Sequence, residues 1–372
     1  MSTTPAILVL EDGRTFHGDA FGKTGETFGE AVFSTSMTGY QEILTDPSYF
    51  KQIVVMTFPH IGNTGINSSD NESDRVWASG FVVREPARIA SNWQAETTLE
   101  SKLQDQGVVG ISGIDTRALT RHLRERGAMR AGISSLDTDP EKLLAKVLVS
   151  DQMVGADLTD QVTIQDPIMV PAEGEKRFTV AAIDLGVKSN TPRLMAQRGM
   201  EVHILPANST IEDIMRVKPD GVFFSNGPGD PASANRARDL LVEVLNAKLP
   251  FFGICFGNQI FGRALGLETY KLPFGHRGSN QPVKDLKTGQ VEITTHNHGF
   301  AVRANAEFET PWGVGRVTHR GLNDQCVEGL ELVDYPAFTV QFHPEAAAGC
   351  HDATHLFDRF ANLMEGGKNN AT

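Results

Sequence analysis

Cys255 stands in Gly253-Ile254-Cys255-Phe256-Gly257, after the apolar run Phe251 to Ile254 and before a helix-like stretch from Asn258 to Ala264. Strand, tight turn and helix around a nucleophile make an elbow. Small residues two before and two after the nucleophile let the backbone turn sharply, so that the thiol projects at the strand's end. There the next amide, Phe256 N–H, can face an oxyanion, and the helix N-terminus favours thiolate. A nucleophilic cysteine needs a base, and among 11 histidines His343 is the best placed, directly after the run Ala337 to Phe342. In Phe342-His343-Pro344-Glu345 the histidine and the glutamate are two residues apart in an extended segment and point the same way. Glu345 can then orient the imidazole while His343 takes and returns the proton, which is the logic of acyl transfer.

Other candidate sites are weaker. Asn226-Gly227-Pro228-Gly229-Asp230-Pro231-Ala232 formally matches G-x-G-x-x-A, but it follows the third strand of its region. Pro228 and Pro231 also delete two amides that would approach a pyrophosphate. The turn fits better as the source of one N–H beside Cys255, completing an oxyanion hole. The segment His17 to Thr24 departs from phosphate-cradle spacing by one residue and reads as a β-turn, so no ATP site is assigned to this chain. His296-Asn297-His298 and His351-x-x-x-His355 have metal-compatible spacing but no third convergent ligand that the sequence identifies, and no metal is expected.

Several elements must position these groups. From Phe178 on, apolar runs (Val180 to Asp184, Glu201 to Leu205, Gly221 to Ser225, Phe251 to Ile254) alternate with amphipathic stretches (Thr191 to Gln197, Ile211 to Val217, Arg236 to Ala247). That alternation predicts an α/β domain with a doubly wound, mostly parallel sheet. It continues through β-rich segments (Val291 to Val302, Val314 to His319, Cys326 to Leu332, Ala337 to Phe342) to a closing helix near His355 to Met364. The first part differs. Strands at Ala6 to Leu10, Glu30 to Ser34, Ile53 to Phe58 and Gly80 to Arg84, with Gly-rich turns, predict a smaller β-rich α/β domain. Its best-marked helix has Asp115 as N-cap, Leu119 and Leu123 as the apolar pair and Gly127 as the stop, with Arg117, Arg121, Arg124 and Arg126 on a solvated face. Pro167, Pro171 and Gly174 mark a linker, giving domains over residues 1–162 and 178–372 with 163–177 between them.

Composition agrees with two folded domains. In 372 residues, 40% are hydrophobic and 22% charged, and the formal charge of -12 opposes binding to phosphate backbones or anionic lipid. Nucleic acid and membrane are therefore excluded as expected partners. Three widely spaced cysteines, no run of about 18 apolar residues and no basic, apolar leader point to a reducing cytoplasm.

Gly-Ile-Cys-Phe-Gly-Asn-Gln at 253–259, Ser-Asn-Gly-Pro-Gly-Asp-Pro at 225–231 and Phe-His-Pro-Glu at 342–345 together resemble class I, triad-type glutamine amidotransferases. The first half narrows this. Ser36 to Tyr49 (Ser-Met-Thr-Gly-Tyr-Gln-Glu-Ile-Leu-Thr-Asp-Pro-Ser-Tyr), Pro59 to Asn63 and Asp115-Thr116-Arg117 resemble the small-chain family of carbamoyl-phosphate synthetases. So do Phe274 to Gly278 and Asn297 to Phe300.

The resemblance implies a glutaminase subunit that hydrolyses L-glutamine and sends ammonia through a tunnel to a large subunit. That subunit makes carbamoyl phosphate from bicarbonate and two ATP for arginine and pyrimidine biosynthesis. It also implies Cys255 as nucleophile, His343 as base and acid, and Glu345 as orienter. Substrate-holding positions fall on Ser48, Gly227, Gly229, Phe256, Gln259, Asn297, Gly299 and Phe300, with Gly229 or Gly227 and the Phe256 amide holding the oxyanion. Because Ser48 lies in the first domain, the glutamine site is expected to use both. No cofactor is expected in this chain, ATP and Mg being placed on the large subunit. Phe256 and Asn258 replace the Leu and His of many relatives, and Phe256 is expected to shape the pocket wall. Two other readings remain: a glutaminase feeding a different acceptor, which the first domain argues against, and a silent scaffold, which the intact Cys255, His343 and Glu345 argue against.

Overall fold

A computed structural model describes residues 4–346 and 348–369, with side chains to 366. The chain divides into two compact units, Met1–Val154 with Pro273–Gly278, and Gly155–Leu272 with Ser279–Thr372.

In the first unit seven strands close into a barrel, in the order Pro5–Leu10, Thr15–Gly22, Val109–Ser112, Gly80–Val82, Gln52–Met56, Glu26–Ser34 and Met129–Ser134. Closure removes the exposed edges an open sheet of this size would present. The expected strands are present with shifted ends, and the β-turn expected at His17 to Thr24 is corrected. His17 lies inside the strand Thr15–Gly22, which pairs with Pro5–Leu10 on one side and Val109–Ser112 on the other. Glycine and charge hide the strand's apolar alternation in the sequence. The expected helix forms over Thr116–Arg126. The Asp115 side chain accepts from Ala118 N–H, Gly127 stops the helix at φ 99°, and Leu119 and Leu123 are fully buried. All four arginines are exposed, as their solvated face requires. Phe274 joins this unit by stacking on Phe33 with centroids 5.7 Å apart.

The second unit is built on an 11-stranded sheet whose parallel centre runs Met200–Pro206, Phe178–Asp184, Gly221–Phe224, Phe251–Ile254, Ala337–Val340. Nearly every residue of these strands is buried, as a sheet covered on both faces demands. Because successive side chains alternate, Phe223, Phe252 and Phe338 line one face and Phe224 and Phe251 the other. Phe252 and Phe338 are register neighbours stacked at 4.6 Å, closed over by Phe357 and Phe360 of the helix His355–Asn369. Antiparallel strands Val327–Leu332, Gly313–Gly321, Glu268–Asp285 and Val291–Arg303 extend the sheet on the Ala337–Val340 side.

The linker expected at 163–177 is also corrected. Ile168–Val170 forms an edge strand antiparallel to Met200–Pro206, the Thr163 hydroxyl accepts from Ala207 N–H, and Ile164 N–H donates to Asp184. Proline and glycine there bend an edge strand rather than free a tether.

Candidate active site

Four neighbouring parallel strands end on one edge of the second unit's sheet, and each delivers a site group from its C-terminal end. Phe178–Asp184 leads to Lys188, Gly221–Phe224 to the Gly227–Gly229 turn, Phe251–Ile254 to Cys255 and Ala337–Val340 to His343. The chain reverses winding direction beside Phe178–Asp184, and such switch points open a crevice at strand ends.

Cys255 adopts φ 55° and ψ -99° between strand and helix Phe256–Ala264. A non-glycine residue held there stores strain on the order of 1–3 kcal/mol, which the surroundings must hold in place. The flanking glycines show how tightly. A Cβ on Gly257 would lie 2.4 Å from Phe224 O, and one on Gly253 would lie 3.0 Å from the Gly257 carbonyl. Cys255 N–H donates to Val340 O at 2.8 Å and Gly257 N–H to Ser225 O at 3.1 Å, so the elbow is bonded to both neighbouring strands. The thiol is buried and donates to Asn297 O at 3.6 Å.

His343 and Glu345 are fully buried, with Nδ1 of His343 2.7 Å from Oε1 of Glu345. With Nδ1 carrying the proton toward the carboxylate, Nε2 is left as the basic nitrogen, and that buried atom has no hydrogen-bond partner among the described residues. Lys188, which no sequence motif reveals, puts Nζ 3.1 Å from the same Oε1. Burial pushes the Glu345 carboxyl up, but the Lys188 ammonium and the charge and hydrogen bond of His343 outweigh it and hold the carboxyl at about 2. Asn190 Nδ2 ties down the Glu345 carbonyl. Asp184 fixes the turn that carries Lys188 by accepting from Gly186 and Val187 N–H.

The structure sorts the other expected substrate residues. Gly227 and Gly229 are required as glycines, since a Cβ would lie 2.1 Å from Leu185 O at the first and 2.6 Å from Ala156 O at the second, where φ is +98°. Asp230 N–H on Ala156 O and Gly155 N–H on Asp230 Oδ2 secure this turn. The amide nitrogen of Gln259 is engaged in structure, Nε2 donating to Phe300 O at 2.8 Å and to Gln341 Oε1 at 3.2 Å. That bond holds the Asn297, Gly299 and Phe300 segment of strand Val291–Arg303 to the helix after Cys255. Ser48 belongs to the first unit, in the turn Pro47–Tyr49, where its N–H donates to Asp46 Oδ1.

Phe256 is corrected from pocket wall to core. It is buried in the cluster of Phe224, Phe251, Ile260 and Phe261, because one helical turn places 256 and 260 on the face that covers the sheet. Asn258 is likewise interior, donating to Gln341 Oε1 and accepting from the Thr339 hydroxyl.

The family described as "Carbamoyl-phosphate synthase small chain, CPSase domain" matches residues 8–133, and "Glutamine amidotransferase class-I" matches residues 181–363. The chain is 63% identical over 367 residues to the carbamoyl phosphate synthase small chain of Streptomyces coelicolor, covering 98% of this chain and 97% of that one. It is 57% identical over 370 residues to the protein of the same name from Mycobacterium tuberculosis, covering 97% and 98%. On these matches, which span the barrel and the sheet alike, the chain belongs to the carbamoyl phosphate synthase small chain family.

Proposed function

We propose that Cys255, His343 and Glu345 hydrolyse L-glutamine through a glutamyl thioester. As a small chain of carbamoyl phosphate synthase with a class I amidotransferase region, the protein is the glutamine-hydrolysing subunit of that synthase. The observation that carries the residue assignment is the strained, buried cysteine at one strand's end, with a glutamate-oriented imidazole just past the end of the neighbouring strand.

In the first half-reaction Nε2 of His343 takes the thiol proton and sulfur attacks the side-chain amide carbon. The tetrahedral oxyanion is held by Phe256 N–H and an N–H of Gly227 or Gly229. The C–N bond then breaks as the imidazolium returns the proton to nitrogen, releasing ammonia. Water, deprotonated by the same Nε2, attacks the thioester, glutamate leaves and the thiol is restored. Glu345 stays ionised throughout, so it stabilises the imidazolium without taking its proton. Gln259 acts through the backbone of 297–300, while Asn297, Gly299 and Phe300 hold the substrate.

Hydrolysing an amide only to release ammonia wastes it unless an acceptor reaction is coupled. A large subunit holding ATP and Mg is the acceptor in this reading, with ammonia passing to it through a tunnel, and this chain carries no nucleotide of its own. Its product serves arginine and pyrimidine biosynthesis, and the chain works in the cytoplasm. Among the described residues no helix is long and apolar enough to cross a membrane.

The test measures glutamate release by the wild-type chain and by Cys255→Ser, with and without the large subunit, bicarbonate and ATP. Slow wild-type turnover that rises with the partner, and a loss on the order of 10³-fold or more in Cys255→Ser with ammonia-driven synthesis retained, is the expected result. Equal turnover with and without the partner contradicts the coupling, and turnover by Cys255→Ser contradicts the nucleophile.

A further inference from the structure

The histidine pair His296 and His298 has metal-compatible spacing, and the fold adds a third group that the sequence does not reveal. Both side chains lie on the strand Val291–Arg303 and face Glu328 on Val327–Leu332, and all three residues are at most 4% exposed. Nδ1 of His296 and Nε2 of His298 are 3.2 Å apart; Glu328 Oε2 is 3.8 Å from the first and Oε1 is 4.0 Å from the second.

The outer hydrogen bonds decide where the protons sit. Nδ1 of His298 faces Phe300 O at 2.8 Å, and a carbonyl can only accept, so this nitrogen carries a hydrogen and in the neutral ring Nε2 presents the lone pair. Nε2 of His296 is 2.8 Å from the Thr294 hydroxyl, whose own hydrogen is committed to Gln281 O at 2.9 Å. The hydroxyl oxygen therefore accepts, Nε2 of His296 carries a hydrogen, and in the neutral ring Nδ1 presents the lone pair. When both rings are neutral, their basic nitrogens face each other beside a buried carboxylate, which is the donor set a cation takes. Outer N–H groups fixed by carbonyl or hydroxyl are also how metal-binding histidines are oriented.

We propose that His296 Nδ1, His298 Nε2 and the Glu328 carboxylate form a binding site for a divalent cation of the zinc class. Tetrahedral zinc with ligand distances of roughly 2.0–2.1 Å places neighbouring ligand atoms about 3.3 Å apart. The observed separations of 3.2, 3.8 and 4.0 Å need only a small contraction. Two imidazoles and one carboxylate select zinc over magnesium or calcium, which take oxygen. The site braces the strand whose next carbonyl, Asn297 O, receives the Cys255 thiol, so the ion is structural support for the substrate segment rather than a participant in hydrolysis.

The experiment uses the full chain, stripped with chelator, reloaded with zinc and passed through a desalting column before metal analysis, with cobalt substitution read by visible absorption. Wild type should retain one zinc per chain and give the intense absorption of low-coordinate cobalt. His296→Ala and the isosteric Glu328→Gln should each weaken zinc binding at least about tenfold, while His351→Ala should not. Circular dichroism of each variant separates loss of the site from loss of the fold. The proposal is overturned if folded wild type retains no zinc, or if folded His296→Ala and Glu328→Gln bind it as tightly as wild type. In the first case a proton shared by the two inner nitrogens is what joins them.

Discussion

His343 and His298 are both buried beside a glutamate, Glu345 in one case and Glu328 in the other, yet their protons are arranged in opposite senses. At His343 the proton-bearing Nδ1 points at the carboxylate, and Lys188 supplies a second cation to the same oxygen. The unprotonated nitrogen is directed away from the charge, ready to exchange a proton. At His298 the nitrogen that donates to Phe300 O points outward, and the other is directed inward, toward His296 and Glu328. In the roles proposed above, the same two residue types make a proton shuttle when the hydrogen bond lies between them, and a ligand set when it lies outside them. What distinguishes the two is the neighbour that takes each N–H.

That contrast can be broken most strongly at Lys188. Lys188→Met leaves Glu345 buried without its ammonium, and removing one partner of such a pair costs about 3–5 kcal/mol, readable as a fall in urea midpoint. The pH dependence carries the sign. In wild type the Glu345 carboxyl is depressed to about 2 from an ordinary 4.5, so its contribution to stability is complete above the ordinary value and lost as pH falls toward 2. Without Lys188 the largest influence lowering that carboxyl is gone, and it rises from its wild-type position. Acid unfolding and the acid limb of glutaminase activity should then both move to higher pH. Coincident limbs in mutant and wild type would show that Lys188 does not set the charge.

At the second cluster Thr294→Val removes the oxygen that accepts from His296 Nε2 and frees that ring to change tautomer. Zinc affinity should fall about 10- to 100-fold, the range for an outer-shell partner, with the fold kept. Unchanged affinity in titrations would mean that Thr294 does not orient the ring. The smallest effect belongs to the barrel, which both clusters should ignore. Asp115→Ala removes the cap on Ala118 N–H at a cost of about 1 kcal/mol, read as a small fall in urea midpoint, with zinc content and glutaminase rate unchanged.

The sequence-readable part of the molecule is the part with local signals. Cys255 is legible because clashes within the elbow dictate glycines at both offsets, and His343 with Glu345 because two residues of extended chain put them on one side. Lys188 escapes because it meets Glu345 only once the strands Phe178–Asp184 and Ala337–Val340, far apart in the chain, end on the same edge of the sheet. Glu328 leaves no distinguishing cue, since Val327 to Leu332 carries both Glu328 and Glu331, and only the folded sheet shows that the first is fully buried and the second is not. Phe256 is misread for a related reason. A motif tells which backbone turns, but the helix's phase against Phe224 and Phe251 decides where its side chains go. The barrel is the least legible region: Thr15–Gly22 and Val109–Ser112 carry glycines where strands approach closely, which weakens the alternation that marks a strand.

The most direct test of the account is the mass of the intact chain, acid-quenched during turnover with glutamine and the large subunit. Nucleophilic catalysis by Cys255 predicts a population carrying one glutamyl group on that residue, absent in Cys255→Ser and labile to hydroxylamine as a thioester. Steady glutamate release with no adduct on Cys255 at any quench time, and with turnover surviving in Cys255→Ser, would contradict it.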